Sequence, residues 1–382
     1  MTKIDAIMTQ IVDLPTIRGH VLSMATMTVQ SIVLVTIRFS DGSVGVGEGT
    51  AIGGLSYGAE SPESIQSAID TYIAPALTGL DGDNVNVARL KMEKAVMGNP
   101  IARCAVENAL WDGLGKRMDK PVADLFGGAV HTGMEVAWTL ASGNSDTDIA
   151  EALELLEVRR HRQFKLKIGK RSVQEDIAHV GRIKAALGDQ AVITVDVNQA
   201  WDMHAARWGL KGLQDIGVAM VEQPIPFRQR GDLAQLNRTY EISVMADEAL
   251  RGPADAMNHA RDNAADAFAI KIAQSGGLTR AQEVIAIGQA AGVGLYAGTM
   301  LEAGIGTAAA LQLFSTVDKL RWGTELFGPL LFKDDILTVP LRYADFKVHL
   351  PDGPGCGVTL DQDKVAFYRR GVPRLQPVKA SV

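Results

Sequence analysis

Lysines and carboxylates recur along the second half of the sequence at a spacing that could assemble one reaction centre. They are Lys165, Lys167, Asp196, Glu222, Asp247, Lys271 and Glu325. From Lys167 to Lys271 the successive members lie 24 to 29 residues apart, about the length of one strand–helix repeat. Each of them interrupts the end of a short apolar run. The spacing predicts that these side chains meet at one edge of a parallel sheet.

Three of the residues, Asp196, Glu222 and Asp247, are acids on consecutive predicted strands. Converging carboxylates raise one another's pKa unless a cation lies between them. Ligands that are all oxygen favour a hard divalent ion, Mg²⁺ or Mn²⁺. The alternative is that each acid caps a helix or pairs with an arginine at the rim. Repetition on three consecutive strands favours the metal site.

The lysines are predicted to face the interior of the sheet. Lys165 and Lys167 are two residues apart on one strand, so their side chains point the same way, and residues 164, 166 and 168 are all apolar. Lys271 belongs to the strand on the opposite side. A neighbouring ammonium group and a metal ion would lower the pKa of a lysine towards neutrality. The alternative is a pair of solvated surface lysines.

Such a set of groups suits the chemistry of an enolate. A proton α to a carboxylate is weakly acidic, because its removal concentrates two negative charges on one small group. A divalent ion on the carboxylate oxygens would stabilise that charge while a lysine moves the proton. A different interpretation is a non-catalytic barrel that binds small acids, and metal-dependent turnover would distinguish the two.

The elements that must position these residues are predicted by apolar runs. Eight runs suit buried parallel strands: 135–140, 164–169, 191–198, 218–223, 242–247, 267–272, 293–298 and 321–327. The segments between them are long enough for helices, with clear helical periodicity at 176–187 and 280–291. No eighth helix follows Phe327. The fold class is therefore α/β, a modified TIM-type (β/α)7β barrel.

The first part of the chain has a different pattern. Strands are predicted at 31–39 and 44–48 with a hairpin turn between them, and a helix begins at Ser61-Pro62-Glu63. More helix follows to about residue 115. We predict an α+β domain at 1–128, the barrel at 129–330, and a segment at 331–382 that returns to the first domain.

Composition narrows the class of protein. The net charge of −6 gives no reason to expect nucleic acid or a membrane as a partner, so an anionic substrate would need locally placed cations. No secretory signal and no run of about 18 apolar residues is present. The two cysteines, Cys104 and Cys356, form no CxxC pair. A disulfide or zinc site is not expected, and a reducing cytoplasm fits.

Several motifs are similar to those of one known family. The sequence resembles the muconate-lactonising branch of the enolase superfamily at Lys165-Leu166-Lys167, Asp196-Val197-Asn198, Glu222-Gln223-Pro224, Ala246-Asp247-Glu248 and Lys271. Longer segments resemble its muconate cycloisomerases: 13–18, 52–54 with Tyr57-Gly58, 137–143 and 323–329. A lysine base with a divalent ion is a pairing already known from this superfamily. The first domain would then be a capping domain.

The resemblance implies a role for each candidate residue. Asp196, Glu222 and Asp247 would bind one Mn²⁺ or Mg²⁺, Lys167 would carry the proton with help from Lys165 and Lys271, and Glu325 would be a proton donor. The substrate would contact Ile52, Tyr57, Asn198 and Phe327.

The implied reaction interconverts cis,cis-muconate and muconolactone in catechol catabolism, the β-ketoadipate pathway. The alternatives are a chloromuconate cycloisomerase, or a dipeptide or N-acylamino acid epimerase in which Lys167 and Lys271 act on opposite faces. The resemblance also implies a cytoplasmic homo-oligomer, an octamer. The chain departs from the family pattern at Val21, where lysine is expected, and at Gly49, where alanine is usual. Both lie in segments, 17–24 and 49–57, that we expect to be loops over the substrate.

Overall fold

The first domain is built on a three-stranded antiparallel sheet. The computed structural model describes residues 2–21 and 26–371 of the chain. The strands, in sheet order, are β1 (Ile4–Val21), β2 (Thr26–Phe39) and β3 (Val44–Thr50). The two strands predicted here lie within β2 and β3. The helices that follow are α1 (Pro62–Ala68), continued by a π-helical turn (Ile69–Ile73), α2 (Ala74–Leu77), α3 (Val85–Ala95), α4 (Pro100–Met118) and α5 (Val122–Leu125).

Helix α4 lies directly on the backbone of β3. A Cβ atom added to Gly45 would lie 2.0 Å from the Ala109 carbonyl oxygen, and one added to Gly47 would lie 2.1 Å from that of Ala105. Small residues on both elements therefore allow an approach that no larger side chain would permit. The contact is completed by Asp112, a buried α4 carboxylate that accepts a hydrogen bond from the Val46 N–H at 2.8 Å.

The second domain is a parallel sheet that curls into a barrel. Its seven regular strands are β5 (Ala137–Leu140), β6 (Gln163–Lys167), β7 (Val192–Asp196), β8 (Met220–Glu222), β9 (Ser243–Ala246), β10 (Ala267–Ile270) and β11 (Gly294–Ala297), paired in chain order. The helices are α6 (Ser145–Glu157), α7 (Val173–Leu187), α8 (Met203–Asp215), α9 (Arg230–Thr239), α10 (Pro253–Asp262), α11 (Ile272–Ser275), α12 (Leu278–Ala291) and α13 (Gly304–Phe314). The α/β fold class is confirmed.

One residue, Thr324, closes the barrel. It forms parallel bridges both to Val136, beside β5, and to Ala297, at the end of β11. Its N–H donates to the Glu135 carbonyl at 2.8 Å, and its carbonyl accepts from the Ala137 N–H at 2.7 Å. The eighth predicted strand, 321–327, is thus reduced to a short extended segment. A 3₁₀ turn at Gly328–Leu331 follows it in place of a helix.

The rest of the chain contacts both domains. Strands β12 (Tyr343–Ala344) and β13 (Lys347–His349) form a small sheet with β4 (Gly133–Glu135), and α14 (Gln362–Tyr368) lies near β1. Arg370 then donates from its backbone N–H to the Ile11 carbonyl at 2.9 Å. Residues 372–382 are outside the described part. Cys104 and Cys356 are buried free thiols. No helix within the described ranges is long and apolar enough to cross a membrane.

Candidate active site

The candidate residues lie at the carboxyl ends of the barrel strands. Lys167 pairs in register with Asp196, and Asp196 with Glu222. At the next strand Glu222 pairs with Met245, so Asp247 lies two residues further along. An advance of two residues keeps a side chain on the same face, and a tilted barrel requires such a stagger. The repeat spacing therefore places the three acids on one interior surface.

A cleft lies between this surface and the capping domain. The predicted residues that line it are Ile52, Tyr57, Lys167, Asp196, Glu222, Asp247, Lys271, Glu325 and Phe327. Four lining residues were not predicted: His20, Thr139, Thr299 and Leu301. Two predicted residues do not line it: Lys165 and Asn198. These two lie behind the surface, where they contact the groups that do.

Lys165 is enclosed between two carboxylates. Its side chain is 2% exposed, its Nζ lies 2.5 Å from Glu222 Oε2, and it forms a hydrogen-bonded ion pair with Glu325. The other oxygen of Glu325 accepts the Thr299 N–H at 3.2 Å. The alternative of a solvated surface lysine is therefore wrong for Lys165, which faces the interior. Its contacts fix Glu325 and Glu222 relative to each other.

The other two lysines each contact one acid and one neutral group. Lys167 Nζ lies 2.5 Å from Asp196 Oδ2 and 3.1 Å from Asn198 Oδ1. Lys271 Nζ lies 2.7 Å from Asp247 and donates to the Tyr57 hydroxyl at 3.0 Å. Each ammonium group is thus held at a carboxylate that faces the cleft.

Asn198 has no surface on the cleft and instead joins its charged groups. Its side-chain N–H groups donate to Asp196 Oδ2 at 3.1 Å and to Glu248 Oε1 at 3.2 Å. Its backbone φ is +44°, a left-handed conformation that asparagine tolerates better than most residues. Burial, followed by the charges of Asp247 and Asp196, raises the pKa of Glu248 to about 8. Asn198 therefore orients Lys167 and Asp196.

The pKa values of Lys165 and Lys271 are raised, whereas a fall towards neutrality was expected beside an ammonium group and a metal ion. Burial lowers the pKa of Lys165, but the charges of Glu222 and Glu325 outweigh burial and raise it well above its usual value. The pKa of Lys271 is also raised, because Asp247 and other carboxylates outweigh the effect of burial. The predicted neighbouring ammonium is less important than the acids that surround each lysine.

The carboxylates of this surface fit a divalent cation. Burial, and then the negative charge of Asp196, raises the pKa of Glu222 well above its usual value. Glu222 Oε2 and Asp247 Oδ1 are buried, and each lies against a lysine ammonium group, at 2.5 Å from Lys165 Nζ and 2.7 Å from Lys271 Nζ. Within residues 2–21 and 26–371, no three acidic, histidine or cysteine side chains already surround a common point as a metal site would. The acids are turned onto lysines, whose charge occupies the position where a cation would be favoured.

The capping domain covers the cleft with an arm rather than a loop. The arm consists of residues 16–21 of β1 and 26–29 of β2, and it carries His20, which is 2% exposed. Residues 17–21, predicted as loop, are therefore strand. Residues 22–24 of the same prediction lie outside the described ranges, and the side chain of Val21 is not described. Burial, and then the charges of Lys167 and Arg18, lowers the pKa of His20 to about 3, so its ring is neutral near pH 7.

Gly49 was expected to face the substrate, but it does not. It is a residue of β3, and a Cβ atom placed there would lie 3.2 Å from Ala105 and 3.2 Å from Ile65, both in the core of the capping domain. Its departure from alanine therefore concerns helix packing. Ile52 and Tyr57, further along the segment, do face the cleft.

Comparisons with known proteins agree over nearly the whole chain. The family model "Mandelate racemase / muconate lactonizing enzyme, N-terminal domain" matches residues 6–127, and "Enolase C-terminal domain-like" matches 148–364. The chain is 54% identical to muconate cycloisomerase 1-2 of Acinetobacter lwoffii, with 96% of each chain covered. It is 44% identical to a chloromuconate cycloisomerase of Delftia acidovorans, over 96% of this chain and 99% of the relative.

The fold of the chain also matches that of a solved structure. The muconate lactonizing enzyme of Pseudomonas fluorescens, crystallised with muconolactone, superposes with a TM-score of 0.95 at 50% identity. The match covers 97% of this chain and all of that one.

Proposed function

Because the chain belongs to the mandelate racemase/muconate lactonizing enzyme family, we propose that it is a muconate cycloisomerase, an isomerase that interconverts cis,cis-muconate and muconolactone. The relatives at 47–54% identity are all muconate cycloisomerases, whereas the chloromuconate enzymes reach 44% or less. The structural observation that best supports this proposal is that three lysines lie at the acidic surface beside the cleft. A dianionic substrate needs such cations, because the net charge of the chain is −6.

Each group has a proposed role in this reaction. One substrate carboxylate adds to the distal double bond, negative charge gathers on the other carboxylate, and Lys167 protonates the carbon adjacent to that second carboxylate. Lys165 and Lys271 supply fixed positive charge, and Glu325 is the alternative donor of the same proton. Ile52, Tyr57 and Phe327 bound the space for a small flat diene. The balance is one proton taken up for each muconate dianion that becomes a muconolactone monoanion.

We propose that Asp196, Glu222 and Asp247 hold one divalent ion, Mn²⁺ or Mg²⁺. Their oxygens suit a hard cation, and the observation that supports the site is that three buried carboxylates share one surface where each lies against a lysine ammonium group. When bound, such an ion would stabilise negative charge on a substrate carboxylate. Lys167 and Lys271, which now contact these acids, would then be free to turn towards the substrate.

An epimerase acting on dipeptides is less well supported. A dipeptide carries an ammonium group that needs a free acid, and the residues that line the cleft from the capping domain are His20, Ile52 and Tyr57. Kinetics on cis,cis-muconate, 3-chloromuconate and a small dipeptide panel with Mn²⁺, followed by loss of the diene's ultraviolet absorbance or by chiral analysis, tests the proposal. We expect kcat/KM to be highest for muconate, with chlorinated muconates slower or comparable. A dipeptide turned over faster than muconate would refute it.

The remaining sequence predictions stay proposals. They are the domain limits at 128 and 330, a cytoplasmic location, an octamer, the absence of nucleic acid and membrane partners, and a place in catechol catabolism. Size-exclusion chromatography with light scattering measures the oligomeric state directly.

A further inference from the structure

Arg18 connects the arm that covers the cleft to the barrel through its side chain. Pro15 pairs with Val29, but His20 pairs with Met27, so β1 carries extra residues between these two points. An insertion of this kind bends a strand and redirects its side chains. Arg18 lies in the bulged stretch, where the Thr16 hydroxyl donates to its carbonyl at 2.6 Å.

Arg18 makes three contacts with the barrel. Its Nη1 lies 2.7 Å from Glu151 Oε2 on α6, and its Nη2 donates to the Thr139 carbonyl at 3.2 Å on β5. Its guanidinium carbon also lies 5.8 Å from the centre of the Trp138 ring. The Arg18 and Glu151 side chains are 27% and 23% exposed, so the pair is partly shielded from solvent. A pair with this geometry is worth more than a fully exposed one.

The contacts of Arg18 extend to the wall of the cleft. Trp138 donates its ring N–H to the second oxygen of Glu151 at 2.9 Å, and its ring lies 5.1 Å from that of Phe327. Phe327, Thr139 and His20 all line the cleft. Arg18 therefore contacts Thr139 directly and Phe327 through Trp138, and it lies two residues from His20 in the arm. No other residue described at this end of the arm reaches the barrel by an ion pair.

We propose that Arg18 is a positioning residue that, through Glu151 and the Thr139 carbonyl, holds the arm on the barrel so that His20 and Phe327 enclose the substrate. Arg18 does not touch the cleft itself. Its effect is on the fraction of molecules whose arm is in place, and apparent affinity falls in proportion to that fraction. The proposal rests on the proposed function only for the choice of substrate.

The test is a double-mutant cycle with R18M, E151Q and R18M/E151Q. Met keeps the length of the side chain without charge, and Gln keeps an acceptor for Trp138. We expect R18M to raise KM for muconate about tenfold and E151Q somewhat less, with kcat within about twofold of wild type. The double variant should be no worse than R18M, since both changes remove one interaction. R18K should recover part of the loss, because lysine offers fewer donors than the arginine fork.

One further measurement, with a control variant, distinguishes a positioning role of Arg18 from an effect on overall stability. Amide hydrogen exchange of residues 17–20, without substrate, should be faster in R18M and E151Q. The control is R182M, which removes an ion pair to Asp146 on the same helix, α6, but touches neither the arm nor the cleft. It should leave both KM and exchange unchanged.

The outcomes that would overturn the proposal are specific. Unchanged KM and unchanged exchange in R18M would show that the arm does not depend on Arg18. A lower kcat at constant KM, or single effects that multiply in the double variant, would also refute it. If the wild-type protein did not turn over muconate, the proposed function would fail, while the exchange comparison would still decide the role of Arg18.

Discussion

The side chain of Lys167 is more exposed than those of Lys165 and Lys271. Its side chain is 16% exposed, against 2% for Lys165 and 3% for Lys271. It also contacts one carboxylate and a neutral amide, whereas Lys165 is enclosed by two carboxylates. A group that must give and take a proton needs reach as well as charge. Lys167 is therefore the candidate for the proton carrier.

Replacing Lys167 by alanine should remove turnover while leaving the fold intact. General acid–base groups contribute about two to four orders of magnitude in rate, and kcat should fall by that amount. Circular dichroism and Mn²⁺ affinity should stay near wild type. Lys170→Ala, an exposed lysine three residues on, is the matched control. A Lys167→Ala enzyme that kept more than a tenth of the wild-type rate would exclude Lys167 as the proton carrier.

Removing the metal should abolish activity, because the acidic surface needs a cation to hold the substrate carboxylate. Dialysis against a chelator should stop turnover, and Mn²⁺ or Mg²⁺ should restore it. Glu222→Gln should weaken Mn²⁺ binding in a calorimetric titration. Glu154→Gln, an exposed change on α6, should not. Full activity of the metal-free protein would contradict the assignment.

The sequence could predict which acids and lysines converge, because their spacing follows the strand–helix repeat. Segment 17–24 was expected to cover the substrate, but the sequence did not single out His20 within it, because the direction of this side chain depends on the bulge in β1. Nor could it show that Asn198 lies behind the cleft, since that depends on a left-handed backbone turn after β7. Thr299 lies two residues beyond the end of β11, at the same end of the barrel as Asp247 after β9, and that position was the available signal.

At the scale of elements, the contact of α4 with β3 leaves no room for a side chain. Gly47→Ala would place a methyl group 2.1 Å from the Ala105 carbonyl. Overpacking of this kind destabilises a protein by about 1–3 kcal/mol, and the backbone here has little freedom to move. Gly231→Ala in α9 is the control, because nothing lies within 4 Å of its Cβ position. It should stabilise by up to about 1 kcal/mol. Urea unfolding measures both, and an equally stable Gly47→Ala variant would be evidence against a fixed contact.

Most of the predicted barrel strands are present in the structure. Seven of the eight runs contain a regular strand, but 135–140 is divided at Val136 between β4 and β5, which belong to different sheets. The eighth run makes only the bridges of Thr324. The apolar pattern of the sequence predicts that the residues of all eight runs are buried. It does not predict which strand accepts or donates their hydrogen bonds, because that depends on the tertiary structure.

At the scale of the molecule, a pair of buried acids joins the two domains. Glu48 of β3 accepts hydrogen bonds from the N–H groups of Ala303 at 2.7 Å and Gly306 at 2.8 Å, at the start of α13. Burial raises the pKa of Glu48 to about 7, and the adjacent Glu302 contributes to the same shift. Glu302 Oε1 is itself buried without a hydrogen-bond partner. The acids are thus more readily protonated in the folded state than in the unfolded chain.

Stability should therefore depend on pH. A carboxyl with a raised folded pKa favours folding most below its unfolded pKa of about 4.5, and this contribution, up to about 3 kcal/mol for Glu48, is lost as the pH rises to about 7. Glu302→Gln removes one charge, so its urea midpoint should fall less than that of wild type between pH 5 and 8. Glu154→Gln serves again as the control. Equal pH dependence in wild type and Glu302→Gln would rule out the coupling.

The closure of the barrel at Thr324 has a consequence for the order in which the chain folds. The bridge from Thr324 to Val136 joins the beginning and the end of the barrel sequence and so closes a long loop. Closing long loops carries the largest entropy cost and depends on non-local contacts, which form slowly. Glu325, the next residue, reaches Lys165 only once this closure exists. During refolding, helical circular dichroism should thus return before catalytic competence, with the lag set by the last strand to dock.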